Sequence, residues 1–301
     1  MRVPAVASSL IRRRHVLAMP RLRLAPAQAG EPLFVIGSGR SGNTLVRRIL
    51  VASDQIYIPP ETFVLGELIE LWPRTALLTW RERVWLFCAH FEKHHHWPTF
   101  GLPNLDEFAA EAQRLRSRKL RPLMDAFFFY LARQNGSKAD RWGDKTPWNT
   151  HHLPSIGQMF PRARYLWLVR DGRDVALSYR ESGLIAEFGD AARRWCDANA
   201  ACARFARWSP NVLRMRYEDI VAAPETEFAK LFDWAGLHFD PGMLTAEVGN
   251  LGDVERLGHH AGVTGTISTA SIGKWRGAVD ASTLASAPAD FPLWLSRLGY
   301  A

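Results

Sequence analysis

Between residues 33 and 52 the chain changes periodicity with only a short loop in between. Leu33 to Ile36 is an apolar run rich in β-formers, while Leu45, Val46, Ile49 and Leu50 recur at helical spacing, with Arg47 and Arg48 expected on the outer face. Gly37 to Thr44 joins the two and fits the frame G-x-x-x-x-G-x-[ST]. Strand, glycine-rich loop and helix in that order make a phosphate site, because loop N–H groups and the positive end of the helix converge on one point. A tight strand-to-helix turn would use the same glycines, but Arg40 and Ser41 add a cation and a hydroxyl. Asn43 stands where an ATPase carries lysine, and no later strand ends in an evident magnesium-binding acid.

Strand and helix alternate along the rest of the chain. Gln55 to Ile58 is a second β-like run that stops at Pro59 and Pro60, after which Glu61 is expected to open an apolar helix. Residues 78 to 134 carry helical periodicity through Trp80, Trp85, Phe87, Leu120, Phe127 and Phe128, a helical insertion between strands. Arg164 to Val169 is apolar through its middle, as a parallel central strand buried on both faces should be. A helix from about Asp174 to Glu181, a strand from Val212 to Tyr217 and an amphipathic helix from Pro224 to Ala235 follow. This order predicts an α/β fold: a parallel sheet with a P-loop-like phosphate-binding loop, helices on both faces, and ligands outside the carboxyl ends of the strands. Residues 249 to 277, rich in Gly, Ser, Thr and His, read as a long surface loop of the kind that often carries function.

Charge narrows the partners. The formal net charge is +8, but Arg2, Arg12, Arg13, Arg14, Arg21 and Arg23 fall in an acid-free stretch before Glu31, so the remainder is nearly balanced and no nucleic-acid partner is expected. Residues 1 to 30 are expected to form a basic, disordered leader and 31 to 301 a single domain. No window of about eighteen apolar residues occurs, so no membrane span is expected. Cys88, Cys196 and Cys202, odd in number and set in apolar or helical stretches, suggest reduced thiols and a cytoplasmic location.

A second constellation lies at the carboxyl end of the Arg164 strand: Arg170-Asp171-Gly172-Arg173-Asp174-Val175-Ala176-Leu177-Ser178. A helix beginning inside this run puts Arg170 and Ser178 near one end of the sheet, where a guanidinium fork could grip a second phosphate. Pairing of Arg170 with Asp174 in a structural salt bridge is the alternative. A ligand with two separated phosphates, bound without the ATPase lysine, points to 3′-phosphoadenosine 5′-phosphosulfate. Here the sequence resembles the sulfotransferases: Arg40-Ser41-Gly42-Asn43-Thr44-Leu45 is similar to their 5′-phosphosulfate loop, and Arg170 to Ser178 to their 3′-phosphate motif. Asp144-Lys145-Thr146-Pro147, with Val169 to Asp174, looks more like the bacterial and tyrosylprotein branch than the phenol and steroid enzymes with a histidine base.

The resemblance implies roles residue by residue. Arg40, Ser41, Gly42, Asn43 and Thr44 would bind the 5′-phosphate, Arg170 and Ser178 the 3′-phosphate, Tyr217 would contact the nucleotide, and Lys274 would close the cofactor loop. Arg40 and Lys145 would neutralise charge on the transferring group. Glu61 would be the base that takes the hydroxyl proton, its alternative being a helix N-terminal acid favoured by the dipole. His151 and His152 are rivals, because Thr150-His151-His152-Leu153-Pro154 superficially resembles the motif of the histidine branch; His94 to His96 read as solvated or rim residues. The expected function is transfer of a sulfuryl group to a hydroxyl of a small molecule, glycan or peptide tyrosine, with no metal. The alternatives are a P-loop kinase or NTPase and a non-catalytic nucleotide-binding module.

Overall fold

The computed structural model describes residues 30–246 and 267–300. The expected leader, apart from its last residue, and most of the expected loop 249–277 lie outside the described residues. β1 (Leu33–Gly37) is followed by α1 (Asn43–Ala52); then come α2 (Leu65–Leu71), α3 (Trp80–Glu92), α4 (Asp106–Gln113) and α5 (Leu120–Gln134). β2 (Gly143–Asp144), α6 (Leu153–Met159), β3 (Arg164–Val169), α7 (Gly172–Glu181), α8 (Phe188–Ala206) and β4 (Val212–Arg216) complete the centre. α9 (Tyr217–Ala222), α10 (Pro224–Ala235), α11 (Trp275–Ala278), α12 (Ala281–Ala285) and α13 (Phe291–Leu298) follow. All strand pairs are parallel, in the order β2-β1-β3-β4.

The strands lie between two apolar cores because side chains alternate across a pleated sheet. Phe34, Ile36, Tyr165 and Trp167 face the insertion helices and α8, whereas Leu33, Val35, Leu166 and Leu168 pack against α1 and α10. The insertion shares its core with the sheet: Trp142 stacks on Phe128 of α5 with ring centroids 3.9 Å apart and meets Phe34 edge-on at 5.8 Å. The chain passes from β1 outward to β2 and back to β3 on the other side, so the loops after β1 and β3 meet where the strand order reverses.

Several expectations change at this level. Arg47 and Arg48 are buried, not outward: Arg47 Nε donates to the Ile58 carbonyl at 2.9 Å and Arg48 Nη2 to that of Leu244 at 3.2 Å. The helix expected at Glu61 starts at Leu65, which leaves Glu61 in an extended segment. Gln55 to Ile58 contributes only a single bridge, between Tyr57 and Trp142. Tyr217 opens α9 rather than ending β4. The three cysteines are free and buried, and no helix among the described residues is long and apolar enough to cross a membrane.

Gly37 ends β1 at φ 123°, and a Cβ there would lie 2.5 Å from the Leu168 carbonyl oxygen, so only glycine lets the chain leave β1 this close to β3. β2 ends in Asp144, which is 1% exposed. Thr62 Oγ1 donates to its Oδ2 at 2.6 Å and Asn149 Nδ2 to its Oδ1 at 3.0 Å. Burial outweighs these bonds and pushes the Asp144 carboxyl up to about 6. Below the ordinary carboxylate range both folded and unfolded states hold the proton; as pH rises toward 6 the unfolded chain ionises first, so this group's contribution to stability is lost over that window. Asp144→Asn is therefore expected to gain about 1–3 kcal/mol relative to wild type between pH 4 and pH 7, measured by chemical denaturation at both. A pH-independent difference would mean that Asp144 is ionised throughout.

Candidate active site

A cleft of about 650 Å³ opens at the carboxyl ends of β1 and β3. One wall is the loop after β1. Gly42 has φ 90°, and a Cβ at this position would run into the Tyr217 ring. Arg40, with φ 64°, is a left-handed non-glycine residue, a conformation held only where surroundings over-determine it. Its Nε donates to Ser178 Oγ at 3.1 Å across the cleft, and burial lowers the guanidinium pKa below its ordinary value without removing its charge. Asn43 Nδ2 donates back to the Ser38 carbonyl at 3.0 Å, so its amide braces the loop. Thr150 Oγ1 both donates to the Gly37 carbonyl and accepts from the Gly37 N–H, each at 3.0 Å, and pins the loop's first residue.

The opposite wall is the loop after β3. Arg170 Nη1 donates to the Arg40 carbonyl at 3.0 Å and Nη2 to the Ser271 carbonyl at 2.6 Å, while its guanidinium lies 4.7 Å from the Tyr217 ring centre. One side chain thus ties together the loop after β1, the loop after β3 and the segment around Ser271. The alternative salt bridge between Arg170 and Asp174 does not form, because both Asp174 oxygens accept backbone N–H groups, from Gly273 and Trp275. Four polar atoms buried in the segment 37–44 and the loop after β3 have no partner among the described residues: Ser38 Oγ, Ser41 Oγ, Asn43 Oδ1 and Arg170 Nε. Two hydroxyls and a guanidinium N–H left open in this way suit an anion bearing several oxygens.

Between the walls, Lys145 Nζ donates to Glu61 Oε1 at 2.6 Å, with the lysine side chain fully buried and that of Glu61 19% exposed. Glu61 lines the cleft; His151 and His152 do not. His152 Nδ1 is engaged by Glu70 Oε1 at 2.9 Å, and His151 sits edge-on to Trp148. The helix-terminus alternative for Glu61 lapses because its helix begins four residues later. Of the sequence-derived residues, Arg40, Gly42, Asn43, Thr44, Glu61, Arg170, Ser178, Tyr217 and Lys274 line the one cleft, with Ser41 and Lys145 buried behind them.

Some of the lining was not singled out from the sequence. Tyr179 closes over Gly39, and Arg194 reaches toward Trp148 and Tyr179 from α8; His96, read as solvated or rim, is part of the lining and stacks on Phe63. His94 to His96 were expected on a helix; they lie in a turn after α3, their rings packed within 5.4 Å of one another, and those of His94 and His96 stack on Phe63. Burial and the neighbouring imidazoles lower the pKa of His94. A stack of this kind depends on a local reversal of the chain, at Phe63 with φ 52°, that no periodicity announces.

Comparison with known proteins agrees with this geometry. Residues 32–241 match the model of the sulfotransferase family. Protein-tyrosine sulfotransferase A of Caenorhabditis elegans is 23% identical over 289 residues, covering 89% of this chain and 67% of its own length. Protein-tyrosine sulfotransferase 1 of Danio rerio is also 23% identical, over 89% of this chain and 72% of its own. Among solved structures, the sulfotransferase domain of the Synechococcus PCC 7002 olefin synthase superposes with a TM-score of 0.62 at 21% identity, covering 94% of this chain and 99% of that domain. The sulfotransferase domain from the curacin biosynthetic pathway gives the same score over 92% and 99%. With a family match spanning both phosphate-type loops and the Glu61–Lys145 pair between them, the chain belongs to the sulfotransferase family and is a transferase of sulfuryl groups.

Proposed function

We propose that the protein transfers the sulfuryl group of 3′-phosphoadenosine 5′-phosphosulfate to an acceptor hydroxyl, with Glu61 as general base. The observation that carries this reading is the Glu61–Lys145 contact of 2.6 Å, set between the two loops whose buried hydroxyls and guanidinium N–H have no partner among the described residues. When bound, the nucleotide supplies an electrophilic sulfur and a phosphate leaving group. Ser41, Gly42 and Thr44, with Arg40, hold the 5′ end, Asn43 supports them by bracing the loop, and Arg170 and Ser178 hold the 3′-phosphate beside Tyr217. Glu61 accepts the proton released as the acceptor oxygen bonds to sulfur and the bond from sulfur to the phosphate oxygen breaks. Lys145 and Arg40 offset the charge that develops on the leaving and transferring oxygens, each such donor contributing about 10²- to 10³-fold in rate. Sulfuryl carries fewer charges than a γ-phosphoryl group, so side-chain cations are matched to the task.

For the acceptor, the relatives' names as protein-tyrosine sulfotransferases make a peptide tyrosine the first compound class to assay, ahead of glycans and small alcohols. The kinase reading is disfavoured by Asn43, whose amide is committed to the Ser38 carbonyl. Calorimetric titration separates the two: 3′-phosphoadenosine 5′-phosphate is expected to bind without magnesium and far more tightly than ATP, and the opposite preference would reverse the assignment.

Arg170→Ala is expected to weaken 3′-phosphoadenosine 5′-phosphate binding by about 1.5–3 kcal/mol, as for a charged hydrogen bond, with little change for adenosine 5′-phosphosulfate. Equal losses for both would remove Arg170 from the 3′ site. Glu61→Gln keeps the size of the side chain but cannot take a proton, so turnover should fall about 10²- to 10⁴-fold while nucleotide affinity holds. His152 lies outside the cleft lining and shares Glu70 with Ser155, so His152→Ala should leave turnover near that of wild type. A collapse in the histidine variant with Glu61→Gln still active would transfer the base to His152.

A further inference from the structure

Asp174 brings a carboxylate into a cleft that, on the reading above, receives a ligand with two phosphates. A bare negative charge there would oppose binding. Its side chain is, however, buried at 2% exposure, and both of its oxygens are occupied. The Gly273 N–H donates to Oδ2 at 2.7 Å and the Trp275 N–H to Oδ1 at 3.0 Å. These two amides flank Lys274, so a single carboxylate grips the backbone on either side of a lysine that lines the cleft. Asp174 can do this because it is the third residue of α7, in the first turn, where the helix dipole favours an acid.

The same stretch is held at three other points. Arg170 Nη2 donates to the Ser271 carbonyl at 2.6 Å, and the Tyr217 hydroxyl and Ser271 Oγ are 2.7 Å apart. The Arg173 guanidinium lies 4.0 Å over the Trp275 ring. Gly273, at φ 70°, provides the turn that presents both amides to one carboxylate.

We propose that Asp174 is a positioning residue that latches the strap 271–275 onto α7 and thereby fixes Lys274 at the phosphate-binding end of the cleft. The two amides partly offset its charge and so lessen its repulsion of an anionic ligand. The strap is ordered when the protein folds, and its entropy cost is removed from nucleotide binding. The proposal rests on the reading of the cleft as a nucleotide 3′,5′-bisphosphate site.

The test combines a binding cycle with hydrogen exchange. Asp174→Asn, which can accept from only one of the two amides, and Lys274→Ala should each weaken 3′-phosphoadenosine 5′-phosphate binding by roughly 10- to 100-fold in calorimetry, and the double variant should lose no more than about threefold beyond the weaker single variant. Fully additive losses would overturn the proposal, since Asp174 would then act independently of Lys274. In the wild-type protein without nucleotide, amides 271–276 should exchange at least about tenfold more slowly than in an unstructured peptide. That protection should vanish in Asp174→Asn while peptides from β1 and β3 keep theirs. Unprotected amides in the wild type, or retained protection in a folded Asp174→Asn, would also overturn it. If Asp174→Asn does not fold, the wild-type exchange still decides. Failure of the wild type to bind the nucleotide would remove the functional reading, while strap protection would report on the latch separately.

Discussion

The site depends on the side-by-side parallel pairing of β1 and β3. Five consecutive residue pairs, from Leu33 with Arg164 to Gly37 with Leu168, bring both strands to the same end of the sheet in register. The chain reverses out of β1 against the backbone of β3, and only glycine at 37 tolerates that approach. Everything polar follows from this adjacency. Arg170, one residue beyond β3, can reach the Arg40 carbonyl because the two loops start from neighbouring strands at the same height. A slip of β1 by one residue against β3 would turn Phe34 and Ile36 toward α1 and α10 and Leu33 and Val35 toward the insertion helices, so register is fixed by apolar patterning on both faces.

The cleft is lined by Arg40, Arg170, Arg194 and Lys274 against Glu61, Asp174 and Glu181, and the fold places these charges close together. Arg40 has the carboxylates of Glu61 and Glu181 nearby in addition to its bond with Ser178. Lys145, with no exposed side-chain surface, is matched with Glu61, as a buried charge requires. Asp144 beside it accepts from Thr62 and Asn149, so β2, only two residues long, ends in a buried acid and is followed at once by the lysine that pairs with Glu61.

The frame of this arrangement was legible in the sequence where local chemistry dictates it. β1 with its glycine loop, β3 with Arg170, and α10 all emerge at the expected places because each has a strong period or a punctuating Gly or Pro. β2 escaped notice because two residues carry no period, and its pairing is decided by β1 rather than by its own sequence. Arg47 and Arg48 were expected outside because a helical wheel sees charge and not the distant carbonyls of Ile58 and Leu244 that satisfy it. The nearness of Glu61 to Lys145 is likewise non-local, a contact across 84 residues that only the fold realises. The 19-residue α8 was not read as an element, although its Trp195, Cys196 and Cys202 are core.

The aromatic stack joining Phe34, Trp142 and Phe128 has a consequence for how such an enzyme can diversify. Because the insertion helices and the phosphate-loop strand share one rigid interior, the insertion is not a cassette that can be exchanged at will; replacing it would leave β1 without half its packing. Inheritable change is therefore channelled to positions that touch the cleft but carry little of the core, such as half-buried Phe63, Arg194 and the 52%-exposed Leu184. A lineage built this way alters what it accepts by small edits at the rim and keeps a single engine beneath.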